Sequence, residues 1–112
     1  LTSALDRQGR LWVGTWGAGL GRFDGRRWKN FTTAEGLSGN HVNSLAQDAQ
    51  GALWIGTNGG VTRLDPATGR MTNYRQQDGL LGIPIYAVTV DSGGGAWFGT
   101  LGGITHVTGL AR

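Results

Sequence analysis

The run Gly51-Ala52-Leu53-Trp54-Ile55-Gly56-Thr57-Asn58-Gly59-Gly60 decides the fold, because the chain contains it three times. It stands upstream as Gly9-Arg10-Leu11-Trp12-Val13-Gly14-Thr15-Trp16-Gly17-Ala18-Gly19 and downstream as Gly94-Gly95-Ala96-Trp97-Phe98-Gly99-Thr100-Leu101-Gly102-Gly103. Trp12, Trp54 and Trp97 are therefore equivalent positions, spaced 42 and then 43 residues apart. A period of about 40–50 residues that mixes short apolar runs with Gly-rich turns is the pattern of a β-propeller, at four strands per blade. A helical repeat of similar length needs 3.6-residue periodicity, which Gly and Asp interrupt in every window here. The chain thus reads as all-β, built of four-stranded antiparallel blades: residues 1–42, residues 43–85, and three strands of a third blade in residues 86–112.

Composition agrees. There are 22 Gly and only 2 Pro in 112 residues, which means many tight turns without a Pro-rich linker. At 38% hydrophobic and 15% charged, the chain has enough apolar residues for a core. The absence of cysteine excludes disulfides and thiolate sites. The formal charge of +3 is scattered, the longest basic run being Arg26-Arg27, so no nucleic-acid footprint is expected. No stretch approaches 18 apolar residues, and no membrane span is expected. The chain opens directly in the repeat with no signal peptide, as expected of a cytoplasmic protein or of a mature or trimmed segment.

Each copy begins with a strand ending in Asp-x-x-Gly, at Asp6–Gly9, Asp48–Gly51 and Asp91–Gly94. An Asp that accepts a bond from the backbone two residues on, followed by a Gly that tolerates positive φ, is what a tight turn asks for. The three Asp lie on different blades without oxygen partners, so neither a metal nor a cofactor is expected. The second strand holds the Trp, in Leu11–Thr15, Leu53–Thr57 and Ala96–Thr100. Its consecutive apolar residues predict burial on both faces between neighbouring blades. Gly14, Gly56 and Gly99 project to the same face as the Trp and mark close approach, expected to be by a ring of the adjacent blade. Trp12, Trp54, Trp97 and these three Gly form the predicted structural repeat core. The third strand spans Leu20–Asp24, Val61–Asp65 and Ile104–Thr108, in which Arg22, Arg63 and His106 read as solvated or edge-facing. A fourth strand follows in Trp28–Thr32 and Met71–Arg75.

The turn after the Trp strand has fixed Gly residues and a variable tip, Trp16, Asn58 or Leu101. A fixed frame with variable tips is how repeat proteins build a binding face, although unconstrained tips vary too. In a propeller the loop between blades ends beside the central channel, which would place Asn40 and His41 there in one copy and Ile83 and Pro84 in the next. Trp16 could stack on a sugar ring or pack between blades, while Asn58, Asn40 and His41 could bond hydroxyl groups. These four are the candidate ligand-binding residues. No partner for His41 as a catalytic base can be placed from sequence, and no catalytic residue is expected.

Leu45 to Thr57, Gly59 to Asp65, Tyr74 and Asp78-Gly79-Leu80, with the matching positions of the first copy, resemble the two-component regulator propeller repeat. The third copy departs from it, with the Gly-rich stretch Ser92–Gly95 and with Ala96 before Trp97. The resemblance implies a periplasmic or extracellular ligand-sensing region of a bacterial signalling protein, with polysaccharide fragments as ligands in parts of that family.

Eleven strands fall short of a closed ring, which typically needs about four to eight blades. The two end faces would expose Trp, Leu and Val together with open strand edges. The expectation is therefore that the chain completes a propeller within a longer chain or by homo-oligomerisation, two copies giving about six blades through a heterologous interface. The leading functional expectation is a non-catalytic binding or scaffold module with a glycan or small-molecule ligand. The alternatives are an enzyme similar to virginiamycin lyases, whose repeat Leu64 to Gly69 resembles, and a purely structural self-assembling repeat.

Overall fold

The computed structural model describes residues 2–75, 77 and 83–107. Among the described residues eleven strands form three antiparallel meanders. The first comprises β1 (Thr2–Leu5), β2 (Leu11–Gly14), β3 (Leu20–Phe23) and β4 (Trp28–Phe31). The second comprises β5 (Val42–Gln47), β6 (Leu53–Thr57), β7 (Gly60–Leu64) and β8 (Met71–Tyr74), and the third β9 (Ala87–Val90), β10 (Ala96–Thr100) and β11 (Gly103–Val107). This is the predicted all-β architecture of propeller blades. Leu1, which opens the first predicted blade, and the strand end predicted at Thr108 lie outside the described residues, as do Asp78-Gly79-Leu80, Leu81 and Gly82.

Two apolar seams hold the sheets together. Trp12, Leu20 and Phe31 of the first sheet meet Leu53, Ile55 and Leu64 of the second, with Leu37 and Val42 of the connecting loop and β5. Trp54 and Val61 on the other face of the second sheet meet Val88, Ala96 and Phe98 of the third, with Ile85. Side chains alternate across a strand. Leu53 and Ile55 therefore look back to the first sheet, while Trp54 looks forward to the third.

This geometry corrects three expectations. First, only β6 is buried along its whole length; β2 and β10 alternate, because each end sheet has one face without a neighbour. Trp12 and Trp54 are 0% and 1% exposed, whereas Trp97 is 40% exposed and belongs to no seam. Second, the groups over the strand glycines are branched aliphatics rather than rings. A Cβ on Gly14 would collide with Val42, and one on Gly56 would stand 2.9 Å from Cγ2 of both Ile85 and Val88. At Gly99 the nearest atom is Ala87 Cβ, at an ordinary 3.5 Å.

The third correction concerns the cations. Arg22 and Arg63 are not solvated: each guanidinium lies 5.7 Å from the ring of the Trp opposite it, Trp12 or Trp54. His106 takes the same place in the third sheet and stacks on Trp97 at 3.8 Å. The repeated Asp does more than close a turn. One carboxylate oxygen accepts from the backbone two and four residues on, as Asp6 Oδ1 does from Gln8 and Arg10, both at 2.9 Å. The other accepts from the indole, with Trp12 Nε1 donating to Asp6 Oδ2 and Trp54 Nε1 to Asp48 Oδ2 at 2.9 Å, and Trp97 Nε1 to Asp91 Oδ2 at 3.2 Å. Gly9, Gly51 and Gly94 in these turns have φ of 81°, 89° and 85°, the left-handed region that favours glycine.

Candidate ligand face

The loop from β4 to β5 builds the site at one end of the seam between the first two sheets. Thr32 and Glu35 form a capping box around the 3₁₀ turn Thr33–Glu35, and Gly36 ends it at φ 110°. Leu37 then enters the apolar seam, 2% exposed. The next residue ties the loop to the second sheet. Ser38 N donates to Thr62 Oγ1 at 2.9 Å, and Ser38 Oγ lies 2.8 Å from Thr57 Oγ1. Thr62 Oγ1 is also 2.7 Å from Asn73 Oδ1, and Asn73 Nδ2 donates to the Gly36 carbonyl at 2.7 Å. Ser38, Thr57 and Thr62 are buried and Asn73 half-buried, and their bonds satisfy one another and fix the loop on the second sheet.

Beyond this anchor the four predicted ligand residues converge. The Asn40 carbonyl accepts from Gly17 N at 3.0 Å and Gly19 N at 2.8 Å, and its side-chain Oδ1 accepts from Thr33 N at 2.9 Å. Asn40 is thus committed mainly to shaping the loop. The His41 carbonyl accepts from Asn58 N at 3.0 Å. Trp16 and His41 form an antiparallel bridge, and their rings stack at 5.3 Å with planes 12° apart. Trp16 is 68% exposed, so a flat indole–imidazole platform faces solvent with the exposed Asn58 beside it. Trp16 packs on His41 rather than in a seam between sheets. The crossing loop is fixed to the preceding blade by Val42 N donating to the Thr15 carbonyl at 2.7 Å, and Ile85 N repeats this on Thr57 at 2.9 Å.

Sequence reading missed the Ser38–Thr57–Thr62–Asn73 network and the pairing of Asp with the Trp indole. The signal for the second was present: Asp and Trp keep a constant six-residue spacing in all three copies. The opposite end of the blades carries the shifted carboxyls. Burial raises the proton affinity of Asp6, but bonds from the Trp12 indole and from Arg10 outweigh it, so its pKa lies below the ordinary value. The Gly95 backbone bond lowers that of Asp91 against a desolvation penalty, helped by His106 and Trp97.

Three side-by-side antiparallel sheets, each offering a Trp face to the next, define a segment of a β-propeller. The model of the two component regulator propeller matches at residues 2–17 and 36–59, and the chain carries that repeat. Among solved structures it is similar to the extracellular domain of a hybrid two component system from B. thetaiotaomicron, at 26% identity and a TM-score of 0.82. That match covers 99% of this chain and 16% of the other. It is also similar to the extracellular domain of a one component system from the same organism, at 27% identity and a TM-score of 0.71, over 94% of this chain and 16% of that one. Virginiamycin B lyase from Staphylococcus aureus shares the fold, at 20% identity and a TM-score of 0.63, over 95% of this chain and 40% of the enzyme. No curated protein matches the chain in sequence. Among the described residues no helix is long and apolar enough to cross a membrane.

Proposed function

We propose that the chain is a segment of an extracellular or periplasmic sensor propeller that binds a ligand without transforming it. The observation that carries this reading is the meeting of Trp16, Asn40, His41 and Asn58, from three separate turns, on one patch where Trp16 and Asn58 are exposed over the half-buried Asn40 and His41. An open aromatic plate beside amide and imidazole groups suits a hydroxyl-rich ring such as a sugar, whose apolar face stacks while its hydroxyls bond at the edge. The similarity to two extracellular regulator domains supports the sensor setting. The enzymatic alternative draws less support. His41 is stacked on Trp16 at this end of the blades, whereas His106 is bonded to Asp91 in the third sheet.

The module reading also assigns a role to the two open faces, which further blades cover, either in a second copy or in a longer chain. Trp97, Ile104 and Gly99 on one end face, and Leu5, Phe23 and Trp28 on the other, are what such neighbours would bury. Light scattering over a dilution series tests the first option; a stable dimer or trimer supports it and a monomer removes it.

For the ligand, the experiment is calorimetric titration of an oligosaccharide panel into the wild type and into Trp16→Ala and Asn58→Ala. The expected result is binding that Trp16→Ala weakens by at least about tenfold, typical of losing an aromatic contact, with an unchanged melting temperature. No binding by any glycan would remove the sugar reading, and equal binding by Trp16→Ala would move the site elsewhere.

A further inference from the structure

The trio of aspartate, tryptophan and cation recurs in all three sheets, but the first sheet breaks its charge balance. In the second sheet Arg63 Nε lies 3.9 Å from Asp48 Oδ2, and in the third His106 Nε2 lies 3.2 Å from Asp91 Oδ2. In the first, Arg10 takes the carboxylate, its Nε donating to Asp6 Oδ2 at 2.8 Å. Arg10 occupies the position held by Ala52 and Gly95 in the other copies, so this competition exists only there. Among the described residues Arg22 is left without an ion pair, and its Nε is buried without a hydrogen-bond partner. Arg63 Nε also lacks a hydrogen bond, but it has the Asp48 carboxylate close by.

A second cation stands directly opposite. Arg22 pairs with Lys29 across β3 and β4, an unfavourable placement of like charges. Their heads lie 5.7 and 5.1 Å from the Phe31 ring. Both line a cleft of about 220 Å³ between the first two sheets, walled by the turn Pro66-Ala67-Thr68-Gly69. Asp24 feels the Arg22 charge without pairing with it, and one oxygen of each neighbouring carboxylate is taken by its own turn: Asp24 Oδ1 accepts from Arg26 N and Arg27 N, and Asp65 Oδ1 accepts from Ala67 N, each at 2.9 Å. Thr68 Oγ1 accepts from Arg70 N and keeps its own proton free to donate.

We infer that this cleft binds a small oxyanion, a carboxylate, sulfate or phosphate group, held between Arg22, Lys29 and the Thr68 hydroxyl. The rings beneath are buried, Trp12 at 0% and Phe31 at 5% exposure, so the cleft offers charge and hydrogen-bond donors rather than a stacking surface. A guanidinium fixed against two rings is preorganised for a planar or tetrahedral anion. The cleft lies at the blade end away from the Trp16 platform and is complete within one chain. It therefore stands apart from both the glycan reading and ring closure.

The test is a titration of the isotopically labelled chain with sodium phosphate, sulfate and acetate, followed by NMR at ionic strength held constant with sodium chloride. Saturable shifts at the Arg22 Nε–H and at the Thr68 and Gly69 amides are expected, and the tightest of the three anions identifies the group. Because Arg22 also packs on Trp12, the exposed rim variants Lys29→Gln and Thr68→Val carry the discrimination. Lys29→Gln should weaken binding about tenfold, as loss of one charge-assisted bond does, and Thr68→Val by less. Shifts that never saturate with any of the three anions, or an affinity unchanged in Lys29→Gln, would overturn the assignment.

Discussion

The second and third sheets carry nearly the same motif and experience opposite surroundings. Trp54 is 1% exposed and Trp97 40%, although each donates its indole proton to the Asp six residues earlier and faces a cation. Gly56 is pressed by Ile85 and Val88, while Gly99 meets only Ala87 at an ordinary contact distance. The strand builds the Trp face, but the next blade buries it. A single repeat of this type cannot cover its own apolar surface.

Truncation of the two tryptophans separates these roles most widely. Trp54→Ala should cost about 3–5 kcal/mol, the usual range for a core aromatic, and should unfold much of the population at ambient temperature. Trp97→Ala removes a ring that is 40% exposed and belongs to neither seam, and should cost about 1 kcal/mol, near the centre of ordinary substitutions. Urea unfolding of both variants measures the contrast. Equal losses would mean that Trp97 is covered in solution, most simply by a second copy.

The glycine pair sharpens the same contrast with a smaller effect. Gly56→Val must displace two branched side chains from an occupied seam and should cost about 1–3 kcal/mol, as overpacking does. Gly99→Val has room and should stay within about 0.5 kcal/mol of wild type. Calorimetric melting temperatures check this. A strong loss at Gly99 would again indicate a neighbour on that face.

The architecture was legible because the period is long, the motif is rich and every copy repeats its turn chemistry. Four strands per blade, the Asp-x-x-Gly turns and the common facing of Trp and Gly could all be read from spacing. What spacing could not give was the identity of partners across a seam. Aliphatic Val42 and Ile85 fill the place expected for a ring at a near-constant spacing, 28 residues after Gly14 and 29 after Gly56, yet only the packing shows that the crossing loop and first strand of the next blade, rather than a ring, cover these glycines. Arg22 and Arg63 looked solvent-facing because alternation alone cannot tell a cation in water from one lying on an indole. The four candidate residues were chosen from variable tips and loop position, yet the stacking of Trp16 on His41 depends on a bridge between turns 25 residues apart.

Acid should expose a further difference between buried and open trios. Asp6 and Asp91 both have pKa values below the ordinary carboxylate range in the folded chain. A depressed folded pKa contributes stability that is fully present above the unfolded value, about 3.9 for Asp, and is lost as pH falls through the folded one. Stability should therefore decline below about pH 4. Asp6→Asn should flatten part of that decline and Asp91→Asn a smaller part, since the Asp6 carboxylate is buried and the Asp91 carboxylate is more open. Urea midpoints across pH 2.5–6 decide it, about the span over which carboxylates titrate; identical slopes in wild type and Asp6→Asn would discard the Asp6 contribution.

Exchanging the cations gives the smallest and most specific contrast. Cation–π contacts are worth roughly 0.5–1 kcal/mol when exposed and about 2 kcal/mol when desolvated. Arg63 lies against a buried ring, so Arg63→His should cost about 1–2 kcal/mol. The reverse exchange, His106→Arg, restores the residue found in the first two copies, but on a ring that no blade covers. It should change stability by less than about 0.5 kcal/mol. Urea unfolding of both variants tests the pair. If His106→Arg stabilised the chain as much as Arg63→His destabilised it, the cation would be worth the same with and without a covering blade, and the difference between the middle and the open sheet would reduce to the tryptophan and glycine alone.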